Sequence, residues 1–209
     1  MATRLDLRKR IVSRYRLPPD LPQWIDSEWI NGAIGDGERE IAEELKQIEG
    51  TCSISGTSNS RTYPLTTDFV YVQRASWANA SGLDKKNLDQ MYDQHGDAWR
   101  NATGPPTDWY MEGARYIGFY PILRGGSAGT FIAYGPRYPR TLTADSSTSE
   151  TPSALHRAIE FYVCREIAGM DPQDNGSLEG RWGARYQNEL GRYKHVRPQL
   201  IEIRAPRNA

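Results

Sequence analysis

Two short stretches decide how this chain is read. Arg115-Tyr116-Ile117-Gly118-Phe119-Tyr120-Pro121 and Thr130-Phe131-Ile132-Ala133-Tyr134-Gly135-Pro136 are both rich in β-branched and aromatic residues, and each is closed by a proline. They predict two strands. Between them Leu123-Arg124-Gly125-Gly126-Ser127-Ala128-Gly129 suits the turn of an antiparallel hairpin. A further strand over 107–112 precedes them. Upstream, Asp68-Phe69-Val70-Tyr71-Val72-Gln73-Arg74 predicts another strand, and Cys52–Ser55 with Arg61–Tyr63 a second hairpin around Gly56–Ser60.

Outward from this β-rich middle the period changes to that of helices. Thr3 and Asp6 form a capping pair ahead of a helix over 3–16, stopped at Pro18-Pro19. A second helix begins between Asp20 and Pro22 and carries Trp24, Ile25, Trp29, Ala33 and Ile34 on one face. Ile41, Leu45 and Ile48 continue the phase across Gly35-Asp36-Gly37, so one long helix to Gly50 is expected despite two glycines, each about 1 kcal/mol worse than alanine. The polar segment 84–94 reads as a short helix. After the polar loop 144–153, Thr151-Pro152 opens a helix whose apolar face is Leu155, Ile159, Tyr162, Val163 and Ile167. A last helix over 177–193 stacks Leu178, Trp182, Tyr186, Leu190 and Tyr193. Beyond Pro198, Gln199–Arg204 alternates as a short exposed strand.

The expected fold is therefore α+β: a helical bundle with an inserted antiparallel β-sheet or hairpin region. One domain over 1–209 is expected, with helical parts 3–50 and 151–195, a β-rich insertion 51–143 and a C-terminal tail 196–209. The 209 residues suit a single domain. No apolar run is long enough for a membrane span, and residues 1–10 lack the apolar core of a secretory signal. Cys52 and Cys164 are read as free thiols in a reducing compartment.

The chain carries no recognisable catalytic or metal motif. His95, His156 and His195 lack ligand spacing, no nucleophile elbow occurs, and the glycine-rich connection lacks the Lys-Ser/Thr ending of a phosphate loop. No cofactor is expected, nor any catalytic or metal residue.

Charge placement is more informative. The 26 basic and 26 acidic side chains cancel, which excludes polyanion binding by bulk charge. Yet residues 1–16 hold six cations against Asp6, residues 20–49 hold nine carboxylates against Arg39 and Lys46, and residues 176–209 are basic again. These regions neutralise one another within the chain, or an acidic face of one copy meets a basic face of the next. With 12 Tyr and 6 Trp against 4 Phe, the aromatics favour surfaces that are wet in one state and covered in another. Candidate interface residues are Trp24, Trp29, Glu40, Glu43, Glu44, Arg8, Arg10, Arg14, Leu200, Ile201 and Ile203. The last three would add a strand to a neighbour's sheet.

The order of an aromatic helix at Trp24–Ile34, Tyr63-Pro64-Leu65-Thr66-Thr67-Asp68-Phe69, Gly104-Pro105-Pro106-Thr107-Asp108-Trp109-Tyr110, Ile117-Gly118-Phe119-Tyr120-Pro121, and Thr151-Pro152 with Leu155-His156 resembles the head-to-tail adaptor (connector, head-completion) proteins of tailed bacteriophages. The resemblance covers roughly 20–195. It implies a homo-oligomeric ring, typically dodecameric, placed in the virion neck. Its partners would be the portal protein and a tail or neck-completion protein, with packaged DNA passing through and assembly in the host cytoplasm. The acidic 20–49 helix would then line the channel or meet a neighbouring copy. Two other classes stay open: a nucleic-acid-binding module using Arg4–Arg16 as a basic arm, and an enzyme with an unrecognised site.

Overall fold

The structure, a computed structural model, describes residues 2–17, 21–22, 24–57, 59–77, 82–124, 129–171 and 176–204. In chain order its elements are helices α1 (Arg4–Tyr15) and α2 (Ser27–Leu45), strands β1 (Glu49–Gly56), β2 (Thr62–Pro64), β3 (Arg74–Trp77) and β4 (Gly82–Lys85), and helix α3 (Leu88–His95). Strands β5 (Asp108–Glu112), β6 (Tyr116–Tyr120) and β7 (Gly129–Pro136) follow, then helices α4 (His156–Met170) and α5 (Ser177–Arg204). The chain divides into two compact units, Met1–Ile48 with Tyr138–Ala209, and Glu49–Arg137.

The first unit is helical. Thr3 accepts from the Asp6 amide and Asp6 reaches back to the Thr3 amide, closing the expected capping box of α1. Helix α2 starts later than expected, with Asp26 accepting from the Trp29 amide; the earlier candidate cap Asp20 lies outside the described residues. It runs unbroken through Gly35-Asp36-Gly37. Its core stripe is Ile30, Ala33, Ile34, Gly37, Glu38, Ile41, Ala42 and Leu45. Helix α4 lies at the centre, with Ile159, Val163, Cys164 and Ile167 fully buried, and α5 contributes Trp182, Tyr186 and Leu190. A 3-10 turn over Ser153–Leu155 leads into α4, so Thr151-Pro152 does not cap it directly.

The second unit corrects the expected fold class. It is a seven-stranded sheet with the order β1-β7-β3-β4-β5-β6-β2. Its β4–β5 pair is parallel and its other pairs are antiparallel. The sheet is mixed, not antiparallel, and it curls until it is nearly closed. Tyr63, on the terminal strand β2, has its ring 5.7 Å from Phe131 on β7, near the opposite end of the order. With its own barrel-like core of Cys52, Ile54, Trp109, Ile117, Phe119, Phe131 and Ala133, this is no hairpin appended to a helical bundle.

Neither expected hairpin forms. Strands β6 and β7 face one another across the interior, with Phe119 and Phe131 stacked at 3.6 Å between ring centroids and 6° apart. Strands β1 and β2 are the two ends of the sheet. An alternating apolar face reports that a strand is half buried but not whether its neighbour lies beside it or opposite it. The connection 125–128 lies outside the described residues. The expected strand 68–74 runs alongside β7, with the Val70 and Gln73 amides donating to the Pro136 and Tyr134 carbonyls at 2.8 Å, but the ladder proper starts at Arg74. The expected 84–94 helix is split between β4 and α3.

The expected C-terminal strand is also corrected. Gln199–Arg204, with Leu200, Ile201 and Ile203, continues α5 as helix past Pro198. A lone strand leaves every backbone group without a ladder partner, whereas a helix satisfies its own.

Candidate functional site

Within the helical unit, the residues singled out from the sequence fall into four groups. Trp24 and Trp29 lie half buried against the core that α2 covers. They are the rim of the packing rather than free platforms.

The α1 cations are matched to carboxylates of the same chain. Arg4 and Arg8 both reach Asp145, at 2.9 and 3.0 Å, and hold its carboxyl below the ordinary range by hydrogen bonding. Arg14 meets Glu160 at 2.5 Å, and Arg10 stands 3.8 Å from it. Glu160 lies on the buried face of α4 and is 3% exposed, so Arg14 supplies the countercharge that a buried carboxylate requires. The acids of α2 also have partners: Glu40 faces Arg165 at 3.7 Å, Glu43 accepts from the Tyr138 hydroxyl at 2.6 Å, and Glu44 meets Lys194 at 2.7 Å. Leu200, Ile201 and Ile203 belong to the last turns of α5.

Sequence reading missed two arrangements. The first is Glu38, one of the nine carboxylates of residues 20–49 but only 1% exposed. It accepts hydrogen bonds from the hydroxyls of Ser149 and Thr151, fastening the 144–151 loop to α2. Burial raises its pKa, and the two hydroxyls only partly offset this. Its signal was present, since position 38 falls in the apolar stripe between Ile34 and Ile41. Thr151 also gives its carbonyl to His156 Nε2 at 3.0 Å, and desolvation keeps this buried imidazole below its ordinary pKa.

The second is a ring of guanidinium groups around Phe161. Arg14, Arg157 and Arg185 lie 5.1, 5.6 and 6.0 Å from the centroid of this buried ring, one from each of α1, α4 and α5. Arg185 also stacks on Trp182 at 4.7 Å. Each planar cation rests on an aromatic face, which fixes its orientation without consuming its hydrogen-bond donors.

These groups do not assemble into catalytic machinery. His156 is committed to a backbone carbonyl, Glu160 to arginine, and the Cys164 thiol is pushed up to about 12 by burial, far from the thiolate a nucleophile needs. Among the described residues no three His, Cys, Asp or Glu side chains are grouped to hold a metal ion. No helix of the described residues is long and apolar enough to cross a membrane.

No curated protein matches the chain. A family model described as the SU10 adaptor protein matches residues 2–207, nearly the whole sequence. The chain belongs to the SU10 adaptor protein family, a family of phage structural adaptors.

Proposed function

We propose that this protein is a ring-forming subunit of the virion neck, joining the capsid portal to the tail and letting packaged DNA pass without sequence-specific contact. The family match over 2–207 carries this reading. Two features support it. The buried Glu38, His156 and Glu160 each have a partner within the helical unit and so hold it together. Exposed charges of both signs, among them Arg10, Arg157 and Arg185 and also Asp36 and Glu43, are carried by a chain with no net charge, which suits repeated contact between copies. The interface positions expected from the sequence include exposed charges of both signs, Arg10 on α1 and Glu43 and Glu44 on α2.

A free basic arm for nucleic acid fits less well. Arg4, Arg8 and Arg14 belong to a capped helix and are paired with Asp145 and Glu160.

The test is electron microscopy of the full-length protein mixed with its portal, supported by light scattering. Rings seated on the portal are the expected result. A monodisperse monomer, alone and with the portal, overturns the reading.

A further inference from the structure

We propose, on the basis of the ring reading above, that the arginine cluster around Phe161 is one half of the subunit seam and that it receives the acidic outer face of α2 from the next copy. Phe161 itself is 4% exposed, but two of the cations over it are accessible: the Arg157 side chain is 58% exposed and Arg185 is exposed, and Arg10, 3.8 Å from the neighbouring Glu160, is 53% exposed. The cluster has more cations than its own fold uses. Glu160 is satisfied by Arg14, and Glu189 is shared between Arg157 at 3.8 Å and Arg192 at 3.2 Å. Arg185 rests on two aromatic rings without a carboxylate partner among the described residues. Arg181, one turn earlier on α5, is also exposed and extends the same face.

The occupant follows from charge and spacing. Helix α2 carries Asp36 and Glu43 on its exposed side, with Glu40 and Glu44 at the edge of its core stripe, 39% and 31% exposed beside Arg165 and Lys194 of their own copy. Asp36 to Glu40 and Glu40 to Glu44 are four-residue steps, as is Arg181 to Arg185; each is about 6 Å along a helix. Carboxylates at that repeat can meet guanidinium groups at the same repeat, and planar arginines already held on aromatic faces lose little freedom on pairing. Both faces belong to every copy, so the contact is head-to-tail and repeats around a closed ring. A duplex is the competing polyanion, but a chain of zero net charge has no long-range attraction for it, whereas the acidic α2 face is present at equal number on each neighbour.

The test uses full-length Arg157→Glu/Arg185→Glu and Asp36→Lys/Glu40→Lys variants. Arg14 stays intact because Glu160 depends on it. Circular dichroism melts first establish that both variants fold. Sedimentation velocity and electron microscopy with the portal, at low and high salt, then read assembly. Each variant alone is expected to lose association about tenfold or more, most visibly at low salt, and an equimolar mixture of the two is expected to regain it. Rings that form unchanged with Arg157→Glu/Arg185→Glu overturn the seam while leaving the connector reading intact. Loss in both variants without recovery in the mixture overturns the pairing of these two faces. Salt-sensitive duplex retention that disappears in Arg157→Glu/Arg185→Glu, with rings unaffected, makes the cluster a phosphate-contacting surface and also overturns the proposal. Wild-type protein that never forms rings removes the connector reading and the seam together.

Discussion

Gly37 of α2 lies beneath the ring of Tyr162 of α4, so close that a Cβ at position 37 would stand 2.8 Å from Tyr162 Cδ1. Gly35, one half-turn away, has nothing within 4 Å of where its Cβ would be. The two glycines of one sequence motif thus have opposite roles. Gly35→Ala is expected to stabilise the protein by about 0.5–1 kcal/mol through helix propensity. Gly37→Ala gains the same propensity but must displace a packed ring, an overpacking cost of about 1–3 kcal/mol, so its net effect is destabilising. Urea denaturation checks both: the midpoint rises for the first variant and falls for the second.

Glu38 gives stability an unusual dependence on pH. Its folded-state pKa is raised above the ordinary 4.5 by burial. Between those two values the native state holds more protons than the unfolded state, so the contribution of Glu38 is greatest below about 4.5 and declines as pH rises through its folded pKa. Asp145, with a lowered pKa, acts in the opposite sense, so the comparison requires a variant. Glu38→Gln keeps an acceptor for Ser149 and removes the charge. Its stability relative to wild type is expected to improve from pH 4.5 to pH 8 in parallel urea titrations. Glu38→Ala leaves the Ser149 hydroxyl without its partner and is expected to cost about 1–3 kcal/mol at either pH.

Arg14 and Arg10 share Glu160 unequally, at 2.5 and 3.8 Å. Removing Arg14 strands a carboxylate that is 3% exposed, and breaking a buried pair costs about 3–5 kcal/mol, reduced toward about 2–3 here because the Arg14 side chain is 31% exposed and Arg10 remains near. Arg10→Ala is expected to cost under about 1 kcal/mol. Replacing Glu160 with Gln in the Arg14→Ala background removes the stranded charge and should restore part of the loss. A double-mutant cycle by chemical denaturation measures that coupling.

The helices were legible because their determinants are local. The Thr3–Asp6 box and the apolar phases of α2, α4 and α5 lie within single segments. Gly37 could not be told from Gly35, since the residue that demands it, Tyr162, is 125 positions downstream. Glu38 stood out from the other acids of 20–49 only by stripe phase, for a related reason: its partners Ser149 and Thr151 come from a distant polar loop. The arginines were legible as charge, while the choice of Asp145 and Glu160 as partners required the packing of α1 on α4. In the sheet, strand identity survived at β5, β6 and β7, but pairing did not, because the same buried face serves a hairpin neighbour or a strand across a barrel.

The Phe119–Phe131 stack is therefore the point at which the sheet's topology can be tested. The two rings are 1% and 0% exposed and each also packs against Tyr63, at 5.8 and 5.7 Å. In an ordinary hairpin the pair would join two adjacent strands, and loss of one ring would loosen that pair alone. Here the contact ties β6 to β7 across the core and, through Tyr63, draws in β2. Phe131→Ala is expected to cost about 3–5 kcal/mol. It should also lower hydrogen-exchange protection in β2 and β6, neither of which pairs with β7, as well as in β1 and β3. Loss of protection confined to β1, β3 and β7 would mean that the interior stack does not couple the two halves of the sheet.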